Sequence, residues 1–126
     1  MLKTFTYGTA NSGGDLRKGR VTSASRFNFV LAPFNATVEV RDTYVYAGLG
    51  GRTSQRDSQM HFNASPSESF RQTFVWTEIG NLALQSYPVC TAISLCGTSS
   101  PRNVTNLYTR GRLTGVPGYA SVFLVK

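Results

Sequence analysis

Between Ala36 and Tyr46 the chain alternates at length: Val38, Val40, Asp42, Tyr44 and Tyr46 fall on one side, and Thr37, Glu39, Arg41, Thr43 and Val45 on the other. Neighbouring side chains of an extended strand point to opposite faces, whereas a helix repeats about every 3.6 residues, so this segment reads as a half-buried strand. Asp42 interrupts the apolar side, which predicts a bulge or bend near Arg41-Asp42. The same alternation returns from Phe70 to Ile79, with Phe70, Phe74 and Trp76 opposite Arg71, Thr73, Val75 and Thr77. A third instance, Arg26 to Leu31, places Phe27, Phe29 and Leu31 together before Ala32-Pro33 stops it.

Shorter strand candidates are Met60-His61-Phe62, Leu82 to Gln85 (equally one helical turn), Val89 to Leu95, and Val104 to Leu113 with Arg110 and Arg112 at its far end. Pro117 and Gly118 occupy the two central positions of a type II turn, which predicts a reversal into a last strand, Tyr119 to Val125, apolar on both faces. Gly48-Leu49-Gly50-Gly51 reads as a hairpin turn. It lacks the residue order and following helix of a phosphate-binding loop. The polar run Arg52 to Gln59 and the stretch Asn63 to Ser67 read as loops. Asn11 to Arg20, glycine-rich and basic, reads as a flexible segment or an arm that orders on a partner.

About eight short strands at roughly ten-residue spacing predict an all-β, single-domain protein over residues 1–126: a β-sandwich, jelly roll or small barrel of antiparallel strands. The length of 126 residues suits one domain, and 15 aromatic residues supply apolar area enough to argue against disorder.

Thirteen Lys and Arg against six Asp and Glu give a formal charge of +7, nearly all of it from arginine. Arginine suits phosphate, carboxylate and aromatic partners, so an anionic polymer is an expected class of partner. Candidate nucleic-acid contacts are Arg17, Lys18, Arg20 and Arg26 near the N-terminus and Arg110 and Arg112 near the other end. Arg52 and Arg56 flank a loop, Arg102 lies near the second group, and Phe27, Tyr108 or Tyr119 are placed to stack on bases.

Catalytic chemistry finds little material. His61 is the one imidazole, and no Gly-x-Ser-x-Gly elbow accompanies it. Asp15, Glu39, Asp42, Asp57, Glu68 and Glu78 sit near arginines or in polar surroundings, which favours ion pairs over a catalytic carboxylate pair. Two cysteines and one histidine fall short of a metal site, and no cofactor is implied. An extended run between Cys90 and Cys96 would hold them about 20 Å apart, favouring free thiols, whereas a tight loop would let them bridge.

No apolar run is long enough for a membrane-spanning helix, and the first residues lack the pattern of a signal peptide, so neither membrane nor secretion is expected. The expected function is a non-enzymatic structural protein that self-assembles as a homo-oligomer, a virion component such as a coat, spike or decoration subunit. Other virion proteins and nucleic acid are its further expected partners, in the virion or the host cytoplasm. The alternatives are a cytosolic β-barrel that binds single-stranded nucleic acid and a carbohydrate-binding sandwich with Trp76 or Tyr44 as sugar platform.

Overall fold

The computed structural model describes residues 2–91, 96, 102–118 and 120–121. Six strands run back and forth in chain order: β1 (Leu2–Tyr7), β2 (Val21–Val30), β3 (Ala36–Ala47), β4 (Arg52–Phe62), β5 (Ser65–Trp76) and β6 (Leu82–Ser86). Each is antiparallel to the next. β7 (Val89–Cys90) also pairs with β5, and β8 (Asn103–Thr105) pairs with β6. A second sheet holds β9 (Leu107–Thr109), β10 (Arg112–Val116) and β11 (Ala120–Ser121). The all-β class and the antiparallel strands match the expectation. The finer arrangement is an up-and-down meander, which among the described strands neither crosses over in Greek-key fashion nor closes into a barrel.

The turns follow from backbone chemistry. Gly48, Gly50 and Gly51 adopt φ of 74°, 76° and 55° between β3 and β4, and Gly51 N donates to Gly48 O at 3.1 Å. Asn63 and Ala64 (φ 48° and 66°) join β4 to β5, and Arg110 and Gly111 (φ 51° and 77°) join β9 to β10. Two consecutive positive φ values match the right-handed twist of the flanking strands. Gly118, at φ 82°, takes the position of the expected type II turn that requires it.

Several local expectations are corrected. Arg52 to Gln59 is strand, not loop, and lies in the middle of the sheet as most of β4. Its polar side chains are held by cross-strand bonds in place of apolar burial: Arg56 and Ser58 both donate to Asp42, and Arg71 donates to Asp57. Those bonds also explain Asp42, whose surroundings are regular; the bulge lies instead between Val45 and Tyr46. Ser65 begins β5, so the loop expected over Asn63 to Ser67 shrinks to a two-residue turn. At its other end β5 stops at Trp76, where Thr77 to Gly80 turn back and Gly80 N donates to Thr77 O at 2.9 Å. Val104 to Leu113 is a pair of short strands and part of a third, reversing at Arg110-Gly111.

The basic segment at 11–20, which reads as flexible or as an arm that orders on a partner, forms a hook against the end of β3. Leu16 N donates to Tyr46 O at 2.7 Å, and Tyr46 N donates to Asp15 Oδ1 at 3.0 Å. Asp15 is buried there beside Arg17, and Ser12 and Asp15 exchange backbone hydrogen bonds. Cys90 and Cys96 form a disulfide over a Cα separation of 6.3 Å, so the expected free thiols are oxidised. That separation is far below what an extended run requires, and the spacing argument fails for this reason. Ala92 to Leu95, part of the expected strand Val89 to Leu95, lie outside the described residues, as do Tyr119 and Val122 to Val125 of the expected last strand.

Candidate functional site

Directly opposed residues of an antiparallel sheet share a face, so the registers sort every side chain of β1 to β5. One face carries Phe5, Ala24, Val38, Val40, Met60, Phe62 and Phe70, with Asp42 and Ser58 near its middle and the charged Lys3, Arg26, Arg56 and Glu68 among them. The other carries Thr4, Thr6, Ser23, Ser25, Glu39, Arg41, Thr43, Asp57, Gln59, His61 and Arg71, together with Leu2, Phe27 and Phe29 on β1 and β2. The apolar face is open: Phe5 is 57% exposed, Phe62 50% and Met60 40%. Among the described residues Ala36 is the one buried apolar side chain, and no large side chain is fully buried. A chain with this many aromatics would fill a core if a second layer covered the sheet.

The polar face is internally satisfied. Ser25 Oγ donates to Glu39 Oε1 at 2.7 Å, and Arg41 grips both carboxylate oxygens from 2.9 and 3.2 Å. Burial pushes the Glu39 carboxyl up, but the hydrogen bonds from Ser25 and Arg41, with the charge of Arg41, outweigh it and hold the pKa below its ordinary value. Arg71 clamps Asp57 through two bonds of 2.8 and 3.0 Å, and this bonding raises its pKa further. Ion pairs therefore engage four of the six carboxylates: Asp15 with Arg17, Glu39 with Arg41, Asp42 with Arg56 and Asp57 with Arg71. Glu68 and Glu78 carry none among the described residues.

His61 sits across from Glu39 with Nε2 3.4 Å from Gln59 Oε1, and among the described residues no hydroxyl or thiol is hydrogen-bonded to it. No group of three His, Cys, Asp or Glu among the described residues is placed to hold a metal ion.

The proposed nucleic-acid residues are not one cluster. Arg17 is committed to Asp15, and the Lys18 backbone N donates to Asn11 in the hook. Arg26 lies on the apolar face, sharing a hollow of about 220 Å³ with Lys3, Phe5, Val40, Asp42 and Arg56. Arg110 and Arg112 are exposed at the β9–β10 hairpin. Arg20 belongs to a group that the linear sequence scatters: its guanidinium stacks 5.3 Å from the Tyr46 ring centroid and donates to Gly50 O, while Arg52 stacks 5.0 Å from Trp76. Together they line an open recess of about 440 Å³.

The backbone makes room for both stacks. A Cβ on Gly51 would lie 2.7 Å from the Arg20 guanidinium, and one on Gly80 would lie 2.6 Å from that of Arg52. Neither arginine has a carboxylate partner among the described residues, so both charges face the recess uncompensated. Trp76 Nε1 donates to Thr53 O at 2.8 Å, which together with Arg52 occupies one ring face and the polar edge that a sugar platform would need. Burial, with the Tyr44 and Asp15 neighbours, raises the Tyr46 phenol pKa against the pull of Arg20, and its OH donates to Val21 O.

Phe27 is half-buried on the polar face, the Tyr108 OH donates to Leu82 O, and Tyr119 lies outside the described residues. Sequence reading missed Lys3 and Glu68 on the apolar face and the partnership of Arg52 with Trp76. The pairing register that creates these neighbours has no local signal. No family model, curated protein or solved structure matches the chain.

Proposed function

We propose that this chain is a non-enzymatic structural subunit that assembles with copies of itself, of the kind that builds the coat, spike or decoration of a virion. The observation that supports this reading is the uncovered apolar face of the meander. Exposed apolar area of this extent marks an interaction surface, and a sheet over which the described residues lay no second layer gains further burial in a complex. The Cys90–Cys96 disulfide fits an oxidising setting, such as a virion surface, better than a reducing cytosol.

A second reading, binding of an anionic polymer, is favoured by the recess in which Arg20 and Arg52 stack on Tyr46 and Trp76 with no carboxylate to neutralise them. Two fixed guanidinium planes beside aromatic rings suit phosphates and bases of a single strand.

One preparation tests both. Sedimentation is expected to give a discrete oligomer at micromolar concentration, and a stable monomer at high concentration would end the assembly reading. Affinity for single-stranded nucleic acid is expected to fall steeply with salt and by about tenfold or more in the double variant R20A/R52A. Binding indifferent to salt and to that variant would remove the second reading.

A further inference from the structure

On the apolar face one row of directly paired residues crosses five strands: Lys3 on β1 faces Arg26 on β2, Arg26 faces Val40 on β3, Val40 faces Met60 on β4, and Met60 faces Glu68 on β5. The row has two positive charges at one end, apolar side chains in the middle and a negative charge at the other. Lys3 and Arg26 oppose each other directly, an arrangement that costs stability within one chain. Lys3, Arg26 and Glu68 are all exposed, and none has an ion-pair partner among the described residues. The other acids of β1 to β5, Glu39, Asp42 and Asp57, each meet an arginine, so Glu68 and the two cations left over in its row call for another explanation.

Resting on the self-assembly reading above, we propose that a second copy covers this face about a two-fold axis parallel to β3, with Val40 on the axis. Such a rotation reverses the strand order, laying β1 over β5 and β2 over β4 of the second copy. Lys3 then stands over Glu68 of the second copy, with Arg26 flanking, and Val40 over its own equivalent. Each charge pair occurs twice by symmetry.

The neighbouring row, Phe5, Ala24, Asp42, Ser58 and Phe70, reads nearly the same in both directions. The same rotation sets Phe5 over Phe70 and keeps the polar centre, where Asp42 is neutralised by Arg56, together. The alternative axis, perpendicular to the strands in the sheet plane, would stack β1 on β1 and bring Lys3 and Arg26 towards their own equivalents. The face is also large enough. Five strands about 4.8 Å apart and roughly eight residues long cover about 600 Å² per copy, which doubled reaches the lower bound of a standard interface.

Charge reversal tests the register. E68K gives a row positive at both ends, and the double variant K3E/R26E one negative at both ends. Each is expected to self-associate about tenfold or more weakly than the parent chain, while an equimolar mixture of the two restores association as a mixed pair. Sedimentation of each and native mass spectrometry of the mixture read this out, with circular dichroism reporting that the exposed substitutions leave the sheet intact. Parent chains that associate and are unmoved by both reversals, or variants that fail to recover on mixing, would overturn the register and leave self-assembly standing. A parent chain that is monomeric would overturn both.

Discussion

Val40→Asp will leave the sheet folded and take the proposed assembly apart. Val40 lies on the proposed two-fold axis, so one substitution sets two carboxylates against each other and removes two apolar contacts at the centre of the interface. At a separation of about 4 Å and an effective dielectric constant near 20, two bare carboxylates repel by about 4 kcal/mol, of which Arg26 beside each offsets a part. With the lost apolar contacts, self-association should weaken by about 100-fold or more. Within one chain the new carboxylate stands beside Arg26, its cross-strand neighbour, and meets an opposite charge there. The monomer accordingly keeps its strand signal in circular dichroism while sedimentation reports the loss of the oligomer. Unchanged association in this variant would show that the face is not covered by a second copy.

The second large effect concerns acid. Glu39 is 9% exposed and accepts three hydrogen bonds, from Ser25 and Arg41. Its pKa in the folded chain lies below the ordinary value of 4.5 because the hydrogen bonds of Ser25 and Arg41 overcome the opposing effect of burial. A carboxyl whose pKa is lowered by folding contributes stability above its unfolded pKa and loses that contribution as pH falls through the folded one. The thermal midpoint should thus be flat above pH 4.5 as far as this group is concerned, and decline below it. Glu39→Gln removes the charge and the paired grip of Arg41. It should cost about 1–2 kcal/mol at neutral pH, a drop of roughly 5 °C, and make the acid decline shallower. Melting curves of both proteins at one concentration, from pH 7 to pH 3, check this; parallel declines would show that another group carries the acid sensitivity.

How far the sequence was legible depends on where apolar residues alternate. Ala36 to Tyr46 shows its strand plainly because Val38 and Val40 answer Thr37 and Glu39, and the glycines at 48, 50 and 51 mark the reversal that follows. Arg52 to Gln59 shows nothing of the kind, since neither of its faces is oily. Its place in the sheet is secured by Asp42 with Arg56 and Ser58, and by Asp57 with Arg71, partners that are far apart in the chain until the register is known. The candidate contacts failed to gather for the same reason. Arg20 meets Tyr46, and Arg52 meets Trp76, only because hairpins of fixed turn length bring those positions level. The pairing of carboxylates with arginines, by contrast, was readable for Asp15, Glu39, Asp42 and Asp57, since composition alone supplies cations in excess.

That the first six strands sit side by side in the order they are connected also governs how the protein can be made. From β2 onward each strand finds its neighbour across a short loop, so closing a hairpin costs little chain entropy; the connection from β1 to β2, which carries the hook, is the long one. A nascent chain can lay the meander down one strand at a time as it emerges. If a second copy covers the oily side of the finished ribbon, as proposed, the last step of maturation is bimolecular and therefore set by concentration.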